Sequence, residues 1–416
     1  MTSIAERDTL VEAAGEPVWL ADFCEASDVC PAIGPRRFLH AGPPIEIQEL
    51  TGPSRGAVIA GLLLEGEADS PEDAARMLDD GGVEITSCHA VGAVGALAGV
   101  VTPHTPVVVV EDSTGRRCFS PLNEGLGKAT RFGNYDESSI QRLRWMGDVL
   151  APALAGALRE TEAIDVLEIQ AEGLRRGDEC HNRNVACVAL LGMQLAAPVV
   201  ATSPRDVAGA VLRELASNVH FFLSVSIAAA KLVADRVDDT APPGIVTAIA
   251  ANGRTIGIRV SGLPGQWFEA LAHLPERITL REGFTRSDAS PLLGDSAVAE
   301  TMGLGASAFT SSPVLAQRLG MPFRDAERIV ADLRRVCLID HPRYLLPTEG
   351  LRGSPFAISV ERVVETGVLP TFSAGFAHRH PGGGPVAAGL TSVPLEVFHL
   401  AQAGLGQSSA VSRAEP

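Results

Sequence analysis

The chain has no surplus of basic residues. Its 34 Lys and Arg face 50 Asp and Glu, for a formal net charge of −16. Nucleic acid and anionic membrane surfaces are bound by clustered Lys and Arg, so both are excluded as expected partners. An anionic small molecule would have to be held by local cations against the field of the whole chain. No CxxC pair occurs among Cys24, Cys30, Cys88, Cys118, Cys180, Cys187 and Cys337. That removes the zinc-finger and zinc-ribbon patterns, and an odd set of cysteines fits reduced thiols in a cytoplasmic protein. The opening MTSIAERDTLVEAAGEP has no apolar stretch of the kind a secretory leader needs, so no leader is expected. The longest uncharged run, Ile85–Val110, is broken by Pro103, His104 and Pro106 and reads as strand, loop and strand rather than a membrane span. The apolar run Val185–Ala201, interrupted late by Pro198, reads as a buried helix. No internal repeat is present.

What is present falls into distinct textures along 416 residues, a length that suits two to four domains. Residues 1–36 read as a polar helical segment and a loop. Residues 37–135 alternate short apolar runs with Gly and Pro clusters. In them PVVVVED is a buried-strand signal, and Ser70-Pro71-Glu72-Asp73 starts a helix. Residues 136–242 carry apolar residues at helical spacing in segments such as RLRWMGDVLAPALAGALRE and HFFLSVSIAAAKLVADRV, which predicts an all-helical domain of four to six helices. Asp239–Gly244 reads as its exit linker. Residues 243–402 return to mixed structure. Ile245–Ala250 and Thr255–Val260 form a hairpin about Asn252-Gly253, and helices follow at Ser296–Ala308, Ser312–Gly320 and Phe323–Val336. Residues 403–416 read as a flexible tail. The expected fold class is α+β and multi-domain, with two mixed α/β regions flanking an inserted all-helical domain.

A series of blocks resembles one family. They are LHAGPP (Leu39–Pro44), ELTGP (Glu49–Pro53), LNEGLGKATRFG (Leu122–Gly133), RWMGDVL (Arg144–Leu150), GDECHNRN (Gly177–Asn184), GIRVSG (Gly257–Gly262), GDSAVAETMGLGA (Gly294–Ala306), VVETGVLP (Val363–Pro370) and AGFAH (Ala374–His378). In this order, over nearly the whole chain, they resemble the AllG (YlbE-like) family. The resemblance implies a subunit of oxamate carbamoyltransferase in allantoin and purine breakdown. That enzyme interconverts oxalurate plus phosphate with oxamate plus carbamoyl phosphate. It also implies an FdrA-like (AllF-type) subunit and a third, AllH-type subunit as partners, with a homo-oligomer left open. No cofactor and no metal are implied. The stretch HRHPGGGPVAAG is a proline- and histidine-rich version of the family's glycine-rich loop, which leaves a related ureido substrate open.

Carbamoyl transfer to phosphate passes through a tetrahedral oxyanion. It calls for fixed donors, cations for phosphate and carboxylate, and a group that manages the amide proton. The first candidate is the glycine turn Asn123-Glu124-Gly125-Leu126-Gly127-Lys128 with Arg131, where flexible backbone and two cations could cradle an anion. It lacks the spacing of a Walker A loop, and its plain alternative is a solvated junction turn. The second is Gly177–Asn184. If helical, Asp178, His181 and Asn182 share a face, with Arg183 and Asn184 beside them and His181 as general acid or base; the alternative is an exposed, capped helix start. The third is Arg259 with Ser261. Alternation puts Arg259 on the strand face opposite Ile258 and Val260, so it needs an acidic partner or an anionic ligand. The fourth is Asp295 and Ser296 ahead of Glu300, either a helix cap or an opening for an anion. The last is Glu365 and the loop bearing His378 and His380, either a lid or a surface loop, with too few ligands for a metal. His181, Arg131, Asn123 and Glu124 are thus the expected catalytic group. Lys128, Gly125, Gly127, Arg183, Asn184, Arg259, Ser261, Asp295, Ser296, Glu365 and His378 are expected to bind substrate. Lys128 and Arg131 should face one cleft with His181 and Arg259. Two other readings compete: a scaffold that positions the FdrA-like subunit without binding substrate, and a stand-alone amidohydrolase, for which the sequence shows neither an activated nucleophile nor a metal.

Overall fold

The structure is a computed structural model that describes residues 3–412. It is a mixed α/β protein with several small sheets rather than one large one. Ser3 caps the first helix, Ile4–Gly15, in a capping box with Glu6. The expected loop after it is instead a strand. Trp19–Glu25 pairs antiparallel with Pro106–Glu111, which pairs in turn with Arg117–Pro121. The valine run is central in this sheet, and its two faces serve different cores. Val108 and Val110 join the largest core, while Val107 and Val109 pack with Leu39, Cys88 and Phe119. A second pair, Arg37–His40 and Glu84–Ser87, is parallel. It is joined by two helices, Gly52–Leu64 and Pro71–Asp79, the latter capped by Ser70 as its sequence predicts.

From Glu137 to Thr240 every regular element is helical. These helices do not enclose a core of their own. One apolar core takes in Leu10, Val108, Leu154, Phe222, Phe309 and Phe356 together. Its axis is the helix Phe222–Thr240, buried along most of its length. That helix packs on the Pro106–Glu111 and Arg117–Pro121 strands and also on the strand Val246–Asn252. The helix read as buried, Val185–Ala201, runs to Thr202 with Pro198 inside it. Only one face is covered: Leu191, Leu195 and Val199 are fully buried, while Met193 is 75% exposed. Length and composition would suit this helix to a bilayer, and among the described residues it is the single straight helix of which that is true.

The C-terminal third holds the hairpin. Val246–Asn252 and Thr255–Val260 pair, but the last matched pair before the turn is Ala251 with Ile256. The turn is therefore wider than the expected two residues, and the Asn252 side chain closes it by accepting from the backbone of Arg254 and Thr255. The expected helix Ser296–Ala308 splits into Val298–Thr301 and a 3₁₀ segment, Gly305–Ser311. The break comes at Gly303 and Gly305, with φ of 86° and 59°. The helix Leu395–Ser412 docks through Val397, Phe398 and Ala401, each fully buried, and the expected tail, 403–416, begins within this helix, past those anchors. The remaining tail residues, 413–416, lie outside the described residues.

Candidate active site

His181 sits where the helical stretch meets the C-terminal third. Its segment, Gly177–Asn184, is a loop and not the helical segment expected, so Asp178, His181 and Asn182 do not share a helical face. Backbone and side chains pin the loop. Asp178 accepts from the Cys187 backbone N–H and pairs with Arg183 at 2.8 Å. Glu179 accepts from the backbone of His181 and Arg183. Asn184 donates to the His181 carbonyl at 2.8 Å. Arg183 and Asn184 therefore hold the loop rather than face a ligand.

The imidazole is gripped on both sides. His181 Nδ1 lies 2.7 Å from Glu300 Oε1, and Nε2 lies 2.9 Å from Ser296 Oγ. Glu300 is itself fixed by the Ser373 backbone N–H at 2.9 Å, the Ser373 hydroxyl at 2.6 Å and the Ala306 backbone N–H at 2.5 Å. The carboxylate assigns the proton to Nδ1, leaving Nε2 to accept from Ser296. Burial alone would lower the His181 pKa, but the Glu300 hydrogen bond and the charges of Glu300 and Glu179 raise it overall. Burial and nearby Glu300 push Glu179 up to about 8, against the pull of His181.

Ser296, His181 and Ser373 open onto a cleft of about 230 Å³ that is also lined by Arg131, His220, Arg281 and Arg318. Arg131 is the half-buried cation. Burial drops its pKa to about 10 despite the charge of Glu124, one guanidinium NH₂ donates to the Gly125 carbonyl at 2.6 Å, and its buried Nε has no partner. Arg281 and Arg318 are exposed. Among the described residues neither is paired with a carboxylate. His220 lines the same cleft, and burial and then the charges of Arg131, Arg318 and Arg281 push it down to about 4. In a chain of net charge −16, this is a local positive site with a donor set suited to carboxylate and phosphate oxygens.

Arg131, His181 and Ser296 come together as expected candidates, but the others do not. The backbone N–H groups expected to form an anion nest in 123–131 are partly taken by the loop itself. Glu124 accepts from Thr130 and Arg131, and the Asn123 side chain accepts from the Gly125 N–H at 2.9 Å. Gly125 and Gly127 serve the turn through φ of 88° and 121°. Lys128 points away to pair with Asp136 at 2.8 Å. Arg259 pairs with Asp238 at 3.1 Å and donates to the His89 carbonyl, outside the cleft. The Ser261 hydroxyl closes a strand end by donating to the Pro242 carbonyl. Asp295 accepts from the backbone of Gly42 and Gly95 and so ties down the turn before Ser296. Glu365 is exposed on the helix Val360–Thr366. His378 lies 4.0 Å from Asp288 and away from the cleft. No group of metal-ligating side chains occurs among the described residues. Sequence reasoning missed Arg281, Arg318, His220 and Ser373. Each is isolated in the sequence and carries no local signal.

The class this defines is a mixed α/β protein with a buried histidine–carboxylate pair at an arginine-lined anion cleft. The chain belongs to the AllG family: the family model described as oxamate carbamoyltransferase subunit AllG matches residues 83–296. It is 36% identical to the oxamate carbamoyltransferase subunit AllG of Escherichia coli K12, over 99% of both chains. It is 33% identical to the uncharacterized protein YahG of the same organism, over 92% of this chain and 81% of that one. A crystal structure of a conserved protein of unknown function from Enterococcus faecalis V583 matches with a TM-score of 0.93 at 35% identity, over 97% of each chain.

Proposed function

We propose that this chain is a subunit of a cytoplasmic carbamoyltransferase complex that converts oxalurate plus phosphate to oxamate plus carbamoyl phosphate, in allantoin and purine catabolism. FdrA-like and AllH-type subunits are its partners. Kinship with the AllG subunit supports the complex, and the cleft supports the chemistry. One observation carries it: Arg131, Arg281 and Arg318 line one cleft with His220 in an acidic chain, and among the described residues neither Arg281 nor Arg318 is paired to a carboxylate. A scaffold that binds no ligand would gain nothing from gathering like charges at a cleft. Oxalurate and phosphate are both anions. Arg281 and Arg318 at the exposed rim draw them in, and Arg131 binds oxygen atoms where water is scarce. His181, held by Glu300, moves the proton at the nitrogen that leaves.

The test is turnover of oxalurate and phosphate by the complete complex carrying Arg131→Ala. Removing one partner of a buried charge-assisted contact costs on the order of 2–5 kcal/mol, so catalytic efficiency should fall roughly thirty- to several-thousand-fold with the fold intact. Arg131→Lys should recover only part of it, because an ammonium lacks the planar fork. Full activity and ordinary saturation in Arg131→Ala would sink the assignment.

A further inference from the structure

The two hydroxyls beside His181 are not equivalent. Ser373 Oγ lies 3.2 Å from Nδ1, on the carboxylate side, and donates to Glu300 at 2.6 Å, so its proton is already committed. Ser296 Oγ lies 2.9 Å from Nε2, the nitrogen that Glu300 leaves free to accept. The order is hydroxyl, imidazole, carboxylate, which is the arrangement that activates a serine. The backing is rigid. Glu300 accepts from the backbone of Ser373 and Ala306. Asp295, immediately before the serine, is anchored to Gly42 and Gly95 from a distant part of the chain. A β-carbon at Gly305 would fall 2.2 Å from the Glu300 carboxylate carbon, so glycine there leaves the carboxylate its place. Ser296 is only partly buried, and its exposed part faces the arginine-lined cleft.

We propose that Ser296 is the covalent nucleophile of carbamoyl transfer, with His181 as its general base and Glu300 as the positioning residue. This rests on the carbamoyl-transfer reading and deepens it. Ser296 Oγ attacks the carbamoyl carbon of the ureido donor as its proton passes to His181 Nε2. The carbon–nitrogen bond of the donor then breaks, and the leaving nitrogen takes that proton, releasing the primary amide. An O-carbamoyl serine remains. An oxygen of hydrogen phosphate attacks its carbonyl carbon as His181 takes the phosphate's proton, the bond to Ser296 Oγ breaks, and His181 passes that proton to the serine oxygen. No oxidant or further reactant is needed. The amide leaves before phosphate reacts, so the kinetics are double-displacement.

Two measurements test this. In the first, the purified chain is treated with p-nitrophenyl carbamate and digested for mass mapping. One carbamoyl group is expected on Ser296, accompanied by a burst of nitrophenolate, and both should be absent in Ser296→Ala and His181→Gln. In the second, the complete complex is given oxalurate and labelled oxamate without phosphate. Label should enter oxalurate, and Ser296→Ala should lose this exchange and overall turnover by roughly a thousand-fold or more. A complex that turns over oxalurate normally but shows no exchange without phosphate and no adduct on Ser296 overturns the nucleophile and leaves the carbamoyl-transfer reading standing. Labelling of Ser296 by the carbamate, in a chain whose complex never transfers a carbamoyl group from oxalurate to phosphate, supports the nucleophile and overturns the substrate. Adduct, burst and exchange are first read on the native chain, so a misfolded variant cannot imitate either positive result.

Discussion

His181 and His341 are both almost wholly buried, at 3% and 2% exposure, yet their surroundings drive them in opposite directions. His181 faces two carboxylates and a cleft, and its pKa is raised although burial opposes it. Among the described residues His341 has no carboxylate partner. Burial, helped by the charge of Arg343, pushes it down to about 3. Its Nδ1 accepts from the backbone N–H groups of Arg343 and Tyr344, and its ring stacks on Tyr344 at 3.8 Å. On the proposed reading the first histidine transfers a proton, whereas the second is a polar piece of the core. Burial alone therefore does not mark a functional histidine; the partner at its second nitrogen and the space beside it do.

The largest effect should come from His181→Gln, which breaks the comparison from the functional side. Removing a positioned general base costs about a hundred- to ten-thousand-fold in rate, and the variant should melt as a folded protein. In the native complex, activity should rise with pH through the elevated His181 pKa, since only neutral imidazole accepts the serine proton. A rate that falls over that range, or a variant that keeps its activity, would remove His181 from the chemistry.

The next effect tests the structural side. His341→Ala leaves two buried backbone donors unpaired and a void beside Tyr344 and Phe356, at a cost of roughly 2–5 kcal/mol. The specific activity of the protein that remains folded should be unchanged. The two histidines also give opposite pH slopes. His341 stays neutral in the fold, while the unfolded chain takes a proton near 6.5. Its contribution is thus present above 6.5 and lost as pH falls toward about 3, by up to about 1.4 kcal/mol per pH unit. His181 contributes below the unfolded value and loses that contribution as pH rises through its raised folded one. Acid melting curves of native protein and His341→Ala should differ in slope; parallel curves would contradict the buried neutral ring.

The smallest effect is expected at Lys128, once the leading cation of the glycine turn. Its side chain is 69% exposed and its ammonium pairs with Asp136 at the surface. Lys128→Ala should change stability by no more than about 1 kcal/mol and leave saturation by phosphate untouched. A large rise in KM for phosphate would put the glycine turn back into the binding site and dissolve the contrast with Arg131.

Much of the local structure was legible. The Ser70 cap, the valine strand, the helix Phe323–Val336 and the hairpin strands all follow from short-range pattern. Misreadings came where a distant contact outweighed local preference. Trp19–Glu25 became a strand because Pro106–Glu111 offered an edge to pair with. Gly177–Asn184 stayed out of helix because Glu179 was drawn to backbone donors within the loop and Asp178 to one in the first turn of the next helix. Arg131 and His181 were visible as residue types in polar, glycine-bearing segments. Arg281 and Arg318 were not, because a lone surface arginine looks the same whether it faces water or the rim of a cleft.

The sequence by itself determined the acidic balance, the family, the helical middle and a short list of polar segments, since composition and short-range periodicity are properties of neighbours along the chain. Only the tertiary structure decided which of those polar residues meet. Arg131, His181, the Ser296–Glu300 segment and Ser373 lie on separate stretches. The two hydrogen bonds on the His181 ring each span more than a hundred positions, with separations of 119 and 115 residues. Such contacts depend on how a shared apolar core stacks its helices and sheets. No local preference encodes that stacking, and the packing of the whole core selects it.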